Sequence, residues 1–537
     1  MRQSTTFIIV LALCFFSSSM YADDSVPVIE VKPVIEVKAD RTVIYPQRME
    51  LTGEESLMDV LQMMPDLMIR GYEDVIDGYN LRVDNCPLNG DTRLIISQMK
   101  AKDIAKIQVC DNTGVAKGTI GTSKVLDITM SMPNSAKGFV EGQGGFGKQL
   151  EGNGTVNVLF GSSHTDLYAN ATYRYQDEHK EYLSLHMTNR FDERNRLLTY
   201  FTQQYLKMPD ATTQKIMGRA RYFYTFNDAG TELLVLGGYQ YDVNPTVTNR
   251  LPMFVLELNT PLPVKGLTMM VGVEGDYQMT WQKDTSRSWD VFNHDIYLQF
   301  GYSLPKWRFA AGHRVMFYNY RITDSGTTQR HMDIRNNTDV SVIYLPHEQH
   351  QIQLGYYRKF FNPAHSALLM EADPTNEAMW VTTKEQLQER VINQIKLSYA
   401  YTRRTLSVQT ETGYYFIDGD ENVARLDASA YWKTKWVTLT GGANLYIARS
   451  KVYASLRVAP TAYLPRQWQI GLKLVYYTPQ APVRELFGTP VYGCLSVNKQ
   501  IGRSWNFGVD WHDMFDTFCR AANVNRHAAN ITVQYRF

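Results

Sequence analysis

The sequence has few long apolar runs, and this scarcity excludes one class of membrane protein. Beyond the first 16 of its 537 residues, no stretch approaches the roughly 20 apolar residues that a transmembrane helix needs. The mean hydropathy is −0.32. A bundle of membrane helices is therefore excluded, whereas a membrane barrel is not, because its strands need only every second residue to be apolar.

An excess of charge of either sign is also missing. The 55 Lys and Arg residues almost balance the 54 Asp and Glu residues, so the net charge is +1. Proteins that bind nucleic acid carry a basic surface, so no nucleic-acid partner is expected. Tyrosine, in contrast, is abundant, and 34 tyrosines suit the interfacial girdles and wet lumen of a barrel better than a compact soluble core.

Cysteine is scarce, with five residues in the chain, of which four follow the N-terminal apolar segment. In an oxidising compartment these four permit two disulfides, and pairing of sequence neighbours would join Cys86 to Cys110 and Cys494 to Cys519. Thiols without a catalytic role are the alternative. The spacing of the four cysteines matches no metal site, so we expect neither a metal nor a cofactor.

The N-terminus has the composition of a secretory signal peptide. Arg2 precedes an uncharged apolar run over residues 7–16, and small residues then lead to Ala22 and two acidic residues. The run is too short to span a bilayer. We expect residues 1–22 to be a signal peptide that is cut near Ala22. A lipid anchor on Cys14 is disfavoured by the bulky residue before it.

The last segment of the chain, residues 527–537, alternates strictly between apolar and polar side chains. The apolar residues share one face of the predicted strand: Ala529, Ile531, Val533, Tyr535 and Phe537. A strand with one apolar and one polar face that ends on an aromatic residue is typical of a bacterial outer-membrane barrel, where it separates lipid from a wet lumen.

From about residue 136 onward, alternating segments about ten residues long are separated by short polar turns and longer loops in turn. The short turns are predicted at 162–166, 192–195, 227–230, 263–266, 304–306, 346–349, 402–404, 433–435, 464–467 and 500–504. These ten turns join twenty strands, and the strands over 136–147 and at the C-terminus bring the number to about 22, an even count as such barrels require.

Four tryptophans support this topology, because each closely follows a short turn that carries Lys or Arg. They are Trp307, Trp436, Trp468 and Trp505. All four are predicted at one interfacial depth, where an indole ring sits at the headgroup boundary. Turns of a soluble β-protein with unrelated tryptophans are the alternative. A barrel of this size would be a wide hole if empty, so a plug is expected in its lumen.

Residues 40–135 have mixed α/β patterning that differs from the barrel. A helix over 56–64 is predicted to stop at Pro65. Further elements are expected over 79–83, 93–97, 101–104, 106–109 and 125–130, with Gly114, Gly118 and Gly121 in the last loop.

These segments closely resemble the plug of TonB-dependent receptors. The resemblance is carried by residues 39–43, 56–61 including Asp59, 64–65, 104–109, 116–119 and 125–128. The chain is most similar to the Bacteroidota branch called the outer-membrane β-barrel family, in order over the whole mature sequence. The resemblance implies an all-β membrane barrel of about 22 antiparallel strands over residues 136–537, with a small α/β plug domain over 40–135 in the lumen. It also implies import of a scarce extracellular ligand across the outer membrane.

The N-terminal extension, residues 23–39, contains a tandem repeat. Residues 26–32 are repeated almost at once as residues 33–38. A β-prone segment flanked by prolines can add a strand to the sheet edge of a partner, which is the physical logic of a TonB box for a TonB-type energising complex. The candidate residues are Pro27, Val28, Ile29, Glu30, Val31, Val34, Ile35, Glu36 and Val37. The alternative is an extended linker, or a strand packed against the plug.

No catalytic residues are predicted, because the sequence contains no H-E-x-x-H motif, nucleophile elbow or phosphate loop. Charged residues of the lumen, such as Glu411, Lys473 and Arg536, are expected to hold the wall and the plug together.

Long extracellular loops are predicted over 282–294, 361–387 and 513–526, and they are expected to bind the ligand together with the plug. Trp289 and Trp380 are candidates to stack on a flat ligand, although anchoring at the outer-membrane lipid interface is the commoner role of tryptophan. The competing functions are a non-transporting adhesin or scaffold and a passive diffusion pore.

Overall fold

The computed structural model describes most of the barrel and part of the segment that precedes it. The described residues are 34–37, 42–48, 57–62, 79–83, 86–87, 99–110, 124–131, 136–147, 151–176, 178–208, 211–283, 287–324, 326–361, 390–403, 405–417, 422–448, 451–478, 491–502, 504–511, 514 and 527–536. All of them belong to one compact unit, Pro33–Phe537.

The first six strands form a mixed sheet in the order β1-β2-β5-β6-β3-β4, here called the N-terminal sheet. Its strands are β1 (Ile35–Val37), β2 (Thr42–Ile44), β3 (Tyr79–Val83), β4 (Cys86–Pro87), β5 (Ile104–Cys110) and β6 (Lys124–Met130). Strands β3 and β6 are parallel, and the other pairs are antiparallel. Four consecutive residues of β6, 125–128, are buried, as expected for a central strand that is covered on both faces.

One short helix packs on this sheet. Helix α1 (Leu57–Gln62) buries Leu57, Val60 and Leu61 completely, and their i, i+3, i+4 spacing puts them on one face. The predicted helix is thus confirmed over 57–62. Two 3-10 turns, Pro46–Arg48 and Ala101–Asp103, complete the regular structure before the barrel. Among the described residues, no helix is long and apolar enough to cross a bilayer.

The other strands form a closed antiparallel barrel, which confirms the predicted number of 22. Each strand pairs with its neighbours along the chain, and β28 pairs with β7 to close the wall. The first eleven are β7 (Lys137–Gly147), β8 (Glu151–Gly161), β9 (Thr165–Gln176), β10 (Glu178–Arg190), β11 (Asn195–Lys207), β12 (Thr212–Thr225), β13 (Glu232–Val243), β14 (Val247–Pro261), β15 (Leu267–Gln282), β16 (Ser288–Ser303) and β17 (Trp307–Asp324). The remaining eleven are β18 (Thr327–His347), β19 (His350–Phe361), β20 (Arg390–Arg403), β21 (Leu406–Ile417), β22 (Val423–Lys433), β23 (Val437–Ala448), β24 (Lys451–Leu464), β25 (Trp468–Tyr477), β26 (Val491–Ile501), β27 (Trp505–Trp511) and β28 (His527–Arg536).

The wall has an apolar outer face and a polar inner face. In β28 the side chains of Ile531, Val533 and Tyr535 are exposed, whereas that of Gln534 is buried, as the alternation of the sequence predicts. All ten predicted turns coincide with connections between consecutive strands, and the four tryptophans of these turns are all exposed at the same end of the barrel.

The predicted loop over 282–294 is wrong. Strand β15 continues to Gln282 and β16 starts at Ser288, so the connection is short and Trp289 lies in a strand with its side chain buried. The reason is that residues 288–294 keep their alternation and pair on both sides, with β15 and with β17. Trp380 and most of the predicted loops 361–387 and 513–526 lie outside the described residues.

Candidate functional site

The N-terminal sheet shares one buried apolar cluster with the inner face of the barrel. On the barrel side the cluster includes Leu159, Tyr168, Tyr182, Tyr200 and Met217 from the consecutive strands β8 to β12, and Ala400 and Tyr431 from β20 and β22. These side chains lie on two separate arcs of the wall. The sheet bridges both arcs through inward-facing residues, so it lies against the wall from within.

A buried ion pair joins the two parts. Lys100, next to the 3-10 turn Ala101–Asp103, places its Nζ against Glu141 Oε2 of β7, and both side chains are less than one-tenth exposed. The same ammonium lies 5.4 Å from the ring centroid of Phe139, also on β7. A charge removed from water needs such a partner, because an unpaired buried charge costs several kcal/mol.

A second set of polar contacts attaches the hairpin of β1 and β2 to strand β21, and the turn that follows the hairpin to strand β22. The Thr42 hydroxyl donates to Gln409 Oε1 over 3.2 Å, and the Ser407 hydroxyl donates to the carbonyl oxygen of Ile35 over 3.1 Å. Just beyond the hairpin, Lys433 Nζ donates to the carbonyl oxygen of Arg48 over 3.3 Å. The sheet is thus held at two places that lie on different arcs of the wall.

The second copy of the tandem repeat is part of this sheet. Strand β1 pairs with β2 through Ile35↔Ile44, Glu36↔Val43 and Val37↔Thr42, and it forms one edge of the sheet. Val34 and Ile35 are buried in the shared cluster. Of the candidate TonB box, Ile35, Glu36 and Val37 therefore form an edge strand of the sheet, and Val34 immediately precedes it. Those of the first copy, Pro27, Val28, Ile29, Glu30 and Val31, lie outside the described residues.

The other predicted site residues are dispersed. Asp59 lies in α1, whereas Pro65, Gly114, Gly118 and Gly121 are outside the described residues. Cys494 lies half-buried in β26, and its predicted partner Cys519 is also outside them, so that pairing stays a prediction.

Cys86 and Cys110 lie on strands that are not neighbours. Strands β3 and β6 separate β4 from β5 in the sheet. Three strand spacings amount to about 14 Å, whereas a disulfide needs Cα atoms within about 7 Å of each other. These two cysteines would pair only if this sheet rearranged.

Glu411, unlike Glu141, forms its ion pair within the wall. Glu411 Oε2 lies 2.5 Å from Lys396 Nζ on the neighbouring strand, which corrects the expectation that Glu411 holds the sheet. Lys473 is likewise buried on the inner face, whereas nothing is described of the Arg536 side chain at the end of β28.

A larger inward-facing cluster on β14 to β17 was not predicted from the sequence. Arg314 is almost completely buried and donates to Glu274 over 2.8 Å and to Asp295 over 2.9 Å. Next to it, Asn293 donates to Asp276 over 3.0 Å and the Tyr297 hydroxyl donates to Glu257 over 2.7 Å. Across the described residues, no group of three or more His, Cys, Asp and Glu side chains has the arrangement of a metal site. Together the ion pairs of Arg314 and the hydrogen bonds of Asn293 and Tyr297 link the four strands β14 to β17.

The chain is similar to known proteins in structure but not in sequence. No protein-family model matches the chain, and no curated protein matches it. The siderophore receptor PirA from Pseudomonas aeruginosa matches with a TM-score of 0.70 and 11% identity, over 94% of this chain and 100% of that chain. The copper transporter OprC matches with a TM-score of 0.70 and 10% identity, over 94% and 99% of the two chains.

The chain shares their fold. The ferric-catecholate import receptor Fiu from E. coli K12 also matches, with a TM-score of 0.67 and 12% identity, over 93% of this chain and 97% of that chain. At such low identity the likeness concerns architecture alone. It extends over the N-terminal sheet as well as the barrel, since more than nine-tenths of each chain is covered.

Proposed function

We propose that this protein is an outer-membrane receptor that imports a scarce ligand through a plugged barrel, with energy from a TonB-type complex of the inner membrane. The observation that carries the proposal is the N-terminal sheet held between two arcs of a closed 22-stranded wall. The likeness to solved receptors and a transporter over nearly the whole chain supports it. The placement in the Bacteroidota branch rests on the sequence resemblance.

The N-terminal sheet and α1 act as the plug. A barrel of this size without filling would be an open channel in a permeability barrier. The described attachments of the plug are non-covalent: an apolar cluster, one buried ion pair and a few hydrogen bonds. Such attachments permit the plug to shift when force is applied and to return afterwards.

The force enters through the N-terminal extension. Strand β1 is the first described strand, forms the edge of the sheet and is joined to β2 by three residue pairs. A pull on the chain before Pro33 therefore loads this pairing first, before the central strands. Release of β1 removes Val34 and Ile35 from the shared cluster and breaks the bond from Ser407. The first copy of the repeat, residues 26–32, binds the energising partner, and the second copy, residues 33–38, holds the plug.

The cellular setting follows from the same proposal. Residues 1–22 direct export, and the exposed apolar outer face of the wall contacts outer-membrane lipid. The ligand binds between the plug and the extracellular loops. Because PirA and Fiu are receptors for siderophores and ferric catecholates, and OprC is a copper transporter, iron chelates and copper are the first ligands to test.

Uptake in cells tests the proposal. Deletion of residues 26–32, which leaves β1 in place, should abolish uptake of radiolabelled ferric chelates or copper, as should loss of TonB. A non-transporting adhesin or scaffold would show no energy-dependent uptake in the wild type. A passive diffusion pore would show open single-channel conductance of the purified protein and uptake that is unchanged without TonB. Either result would refute the proposal.

A further inference from the structure

A polar pocket lies on the outer face of the barrel, on strands β16, β17 and β18. Its volume is about 580 Å³, and it is lined by Ser288, Asp290, Arg321, Thr323, Thr328 and Arg330. These residues have the same parity along their strands as the exposed Phe292, Trp307 and Ile334. The pocket therefore opens outward, away from the lumen and from the ligand path proposed above.

Two rows of cross-strand neighbours build the pocket. In the first row Asp290, Arg321 and Arg330 are neighbours across the three strands. The second row consists of the hydroxyl residues Ser288, Thr323 and Thr328. Arg321 Nε donates to Asp290 Oδ2 over 2.8 Å, and half of the Arg321 side chain stays exposed. The hydroxyls of Thr323 and Thr328 lie 3.2 Å apart.

The pocket carries a positive charge. One carboxylate faces two guanidinium groups, and in the described part of the chain no carboxylate forms an ion pair with the exposed Arg330. Asp290 fixes the orientation of Arg321 and leaves Arg330 to bind an anion. Guanidinium groups bind phosphate oxygens through paired hydrogen bonds, and hydroxyl groups complete such sites.

The position of the pocket along the barrel axis indicates which anions it would meet. Trp307 begins β17 at the end with short turns, and ten residues farther along, Phe317 lies about 25 Å higher for a strand tilted by about 40°. This distance matches the apolar band of an outer-membrane barrel, which is about 25 Å tall. Arg321 stands about 10 Å above Phe317 by the same geometry. The pocket thus lies at the level of the headgroups on the side of the longer loops.

An apolar shelf borders the pocket on its membrane side. Phe292, His294 and Phe317 stack on one another with centroid distances of 5.2 Å and 4.7 Å. On β18, Met332 and Ile334 are more than half exposed directly below Arg330. An anion that carries acyl chains would use both the shelf and the pocket, whereas a free anion would use only the pocket.

We propose that this pocket binds the phosphate group of an outer-leaflet glycolipid, with the acyl chains on the apolar shelf. The inference rests on the outer-membrane location given under Proposed function, but not on transport. The bound lipid would fix the barrel in the leaflet on the flank where β16 to β18 project farthest.

Lipid binding to the purified full-length protein in detergent tests this inference. The probes are bis-phosphorylated lipid A, the same lipid after enzymatic removal of its phosphates, and inorganic phosphate, with retained adducts measured by native mass spectrometry. We expect lipid A to bind the wild type, and the double variant Arg321→Gln/Arg330→Gln to bind it at least about tenfold more weakly, since two charge-assisted contacts are lost.

A matched control separates local chemistry from net charge. Arg194, at the opposite end of the barrel, is also half-exposed and pairs with Asp228 over 2.9 Å. Arg194→Gln should leave lipid binding unchanged, and Arg330→Lys should retain most of it because the charge is kept. The gel mobility shift on heating shows whether each variant has folded, independently of lipid.

Three results would overturn the inference. They are equal lipid A binding by the double variant, equal binding of the dephosphorylated lipid by the wild type, and binding of inorganic phosphate as tight as that of lipid A. The last result would assign the pocket to free anions. Because these measurements involve no uptake, a failed transport assay would refute the importer and leave this inference intact.

Discussion

Lys100 and Glu141 form an ion pair that is buried at the boundary between the N-terminal sheet and the barrel wall. A pair of this kind contributes little beyond what two apolar residues would, but breaking it is costly, because the remaining charge stays buried without a partner. The pair therefore disfavours partial separation of the N-terminal sheet from the wall, because separation would leave a buried charge without a partner.

Lys100→Met should therefore loosen the sheet without disturbing the barrel. We expect the free energy of opening of β5 to fall by about 3–5 kcal/mol, measured by native-state hydrogen exchange of residues 104–110. The exposed pair Arg196–Glu232 is the control, and Arg196→Met should cost less than about 1 kcal/mol of barrel stability. A further Glu141→Leu substitution in Lys100→Met should restore most of the loss. If Lys100→Met lowers stability no more than Arg196→Met does, the ion pair of Lys100 and Glu141 does not hold the sheet to the wall.

Ile35→Asp tests whether β1 holds the sheet. The side chain is almost fully buried, so a carboxylate there loses apolar contacts and is desolvated, and we expect a loss of about 3 kcal/mol or more in the opening free energy of β2. Ile29→Asp is a matched control, because Ile29 holds the corresponding place in the first copy of the repeat. It should leave the protection of residues 42–44 unchanged. Equal effects of the two substitutions would mean that the copies exchange freely in the sheet.

Gly272 of β15 provides space for the ring of Tyr297. A Cβ atom at residue 272 would stand 2.3 Å from Tyr297 Cζ, so Gly272→Ala must displace the ring and its hydrogen bond to Glu257. We expect a loss of about 1–3 kcal/mol in unfolding free energy, measured by urea titration in micelles. Gly237→Ala, where a Cβ meets nothing within 4 Å, should cost much less. A comparable loss in both variants would show that glycine serves strand flexibility rather than space for the ring.

Alanine substitutions at Gly266 and Gly230 distinguish the energetic cost of backbone strain from that of a steric clash. Both have left-handed φ angles, +84° and +90°, but only at Gly266 would a Cβ meet backbone, 2.3 Å from the Ser303 carbonyl oxygen. Gly230→Ala should cost about 1–2 kcal/mol from strain alone. Gly266→Ala should cost more than that, because the clash cannot be relieved by turning a side chain. Urea midpoints that shift equally would exclude a steric contribution.

The barrel could be predicted from the sequence because its information is local. Alternation along one strand shows which face meets lipid, and a short polar turn such as 227–230 shows where the chain reverses. Both signals repeat many times, so the number of strands followed from the turns. The connection after Gln282 was misplaced because polar residues can belong either to a loop or to a strand that extends beyond the membrane.

The candidate site depends on information that is not local. Strands β1 and β2 have three residues each, too few to show a period, and they form because Val34 and Ile35 find a cluster contributed by distant strands. The Arg314 cluster likewise needs the register of four strands, which brings Glu274 and Asp295 to the same height. Such pairings become visible only when the wall is closed.

The seam between β7 and β28 has a consequence for biogenesis. The two strands are separated by almost the entire barrel sequence, so the wall remains a curved open sheet with two unsatisfied edges until the last strand is in place. The N-terminal sheet touches both arcs from within, so it has to be enclosed while this seam is still open. Closure of the β7–β28 pairing is therefore also the step that encloses the N-terminal sheet.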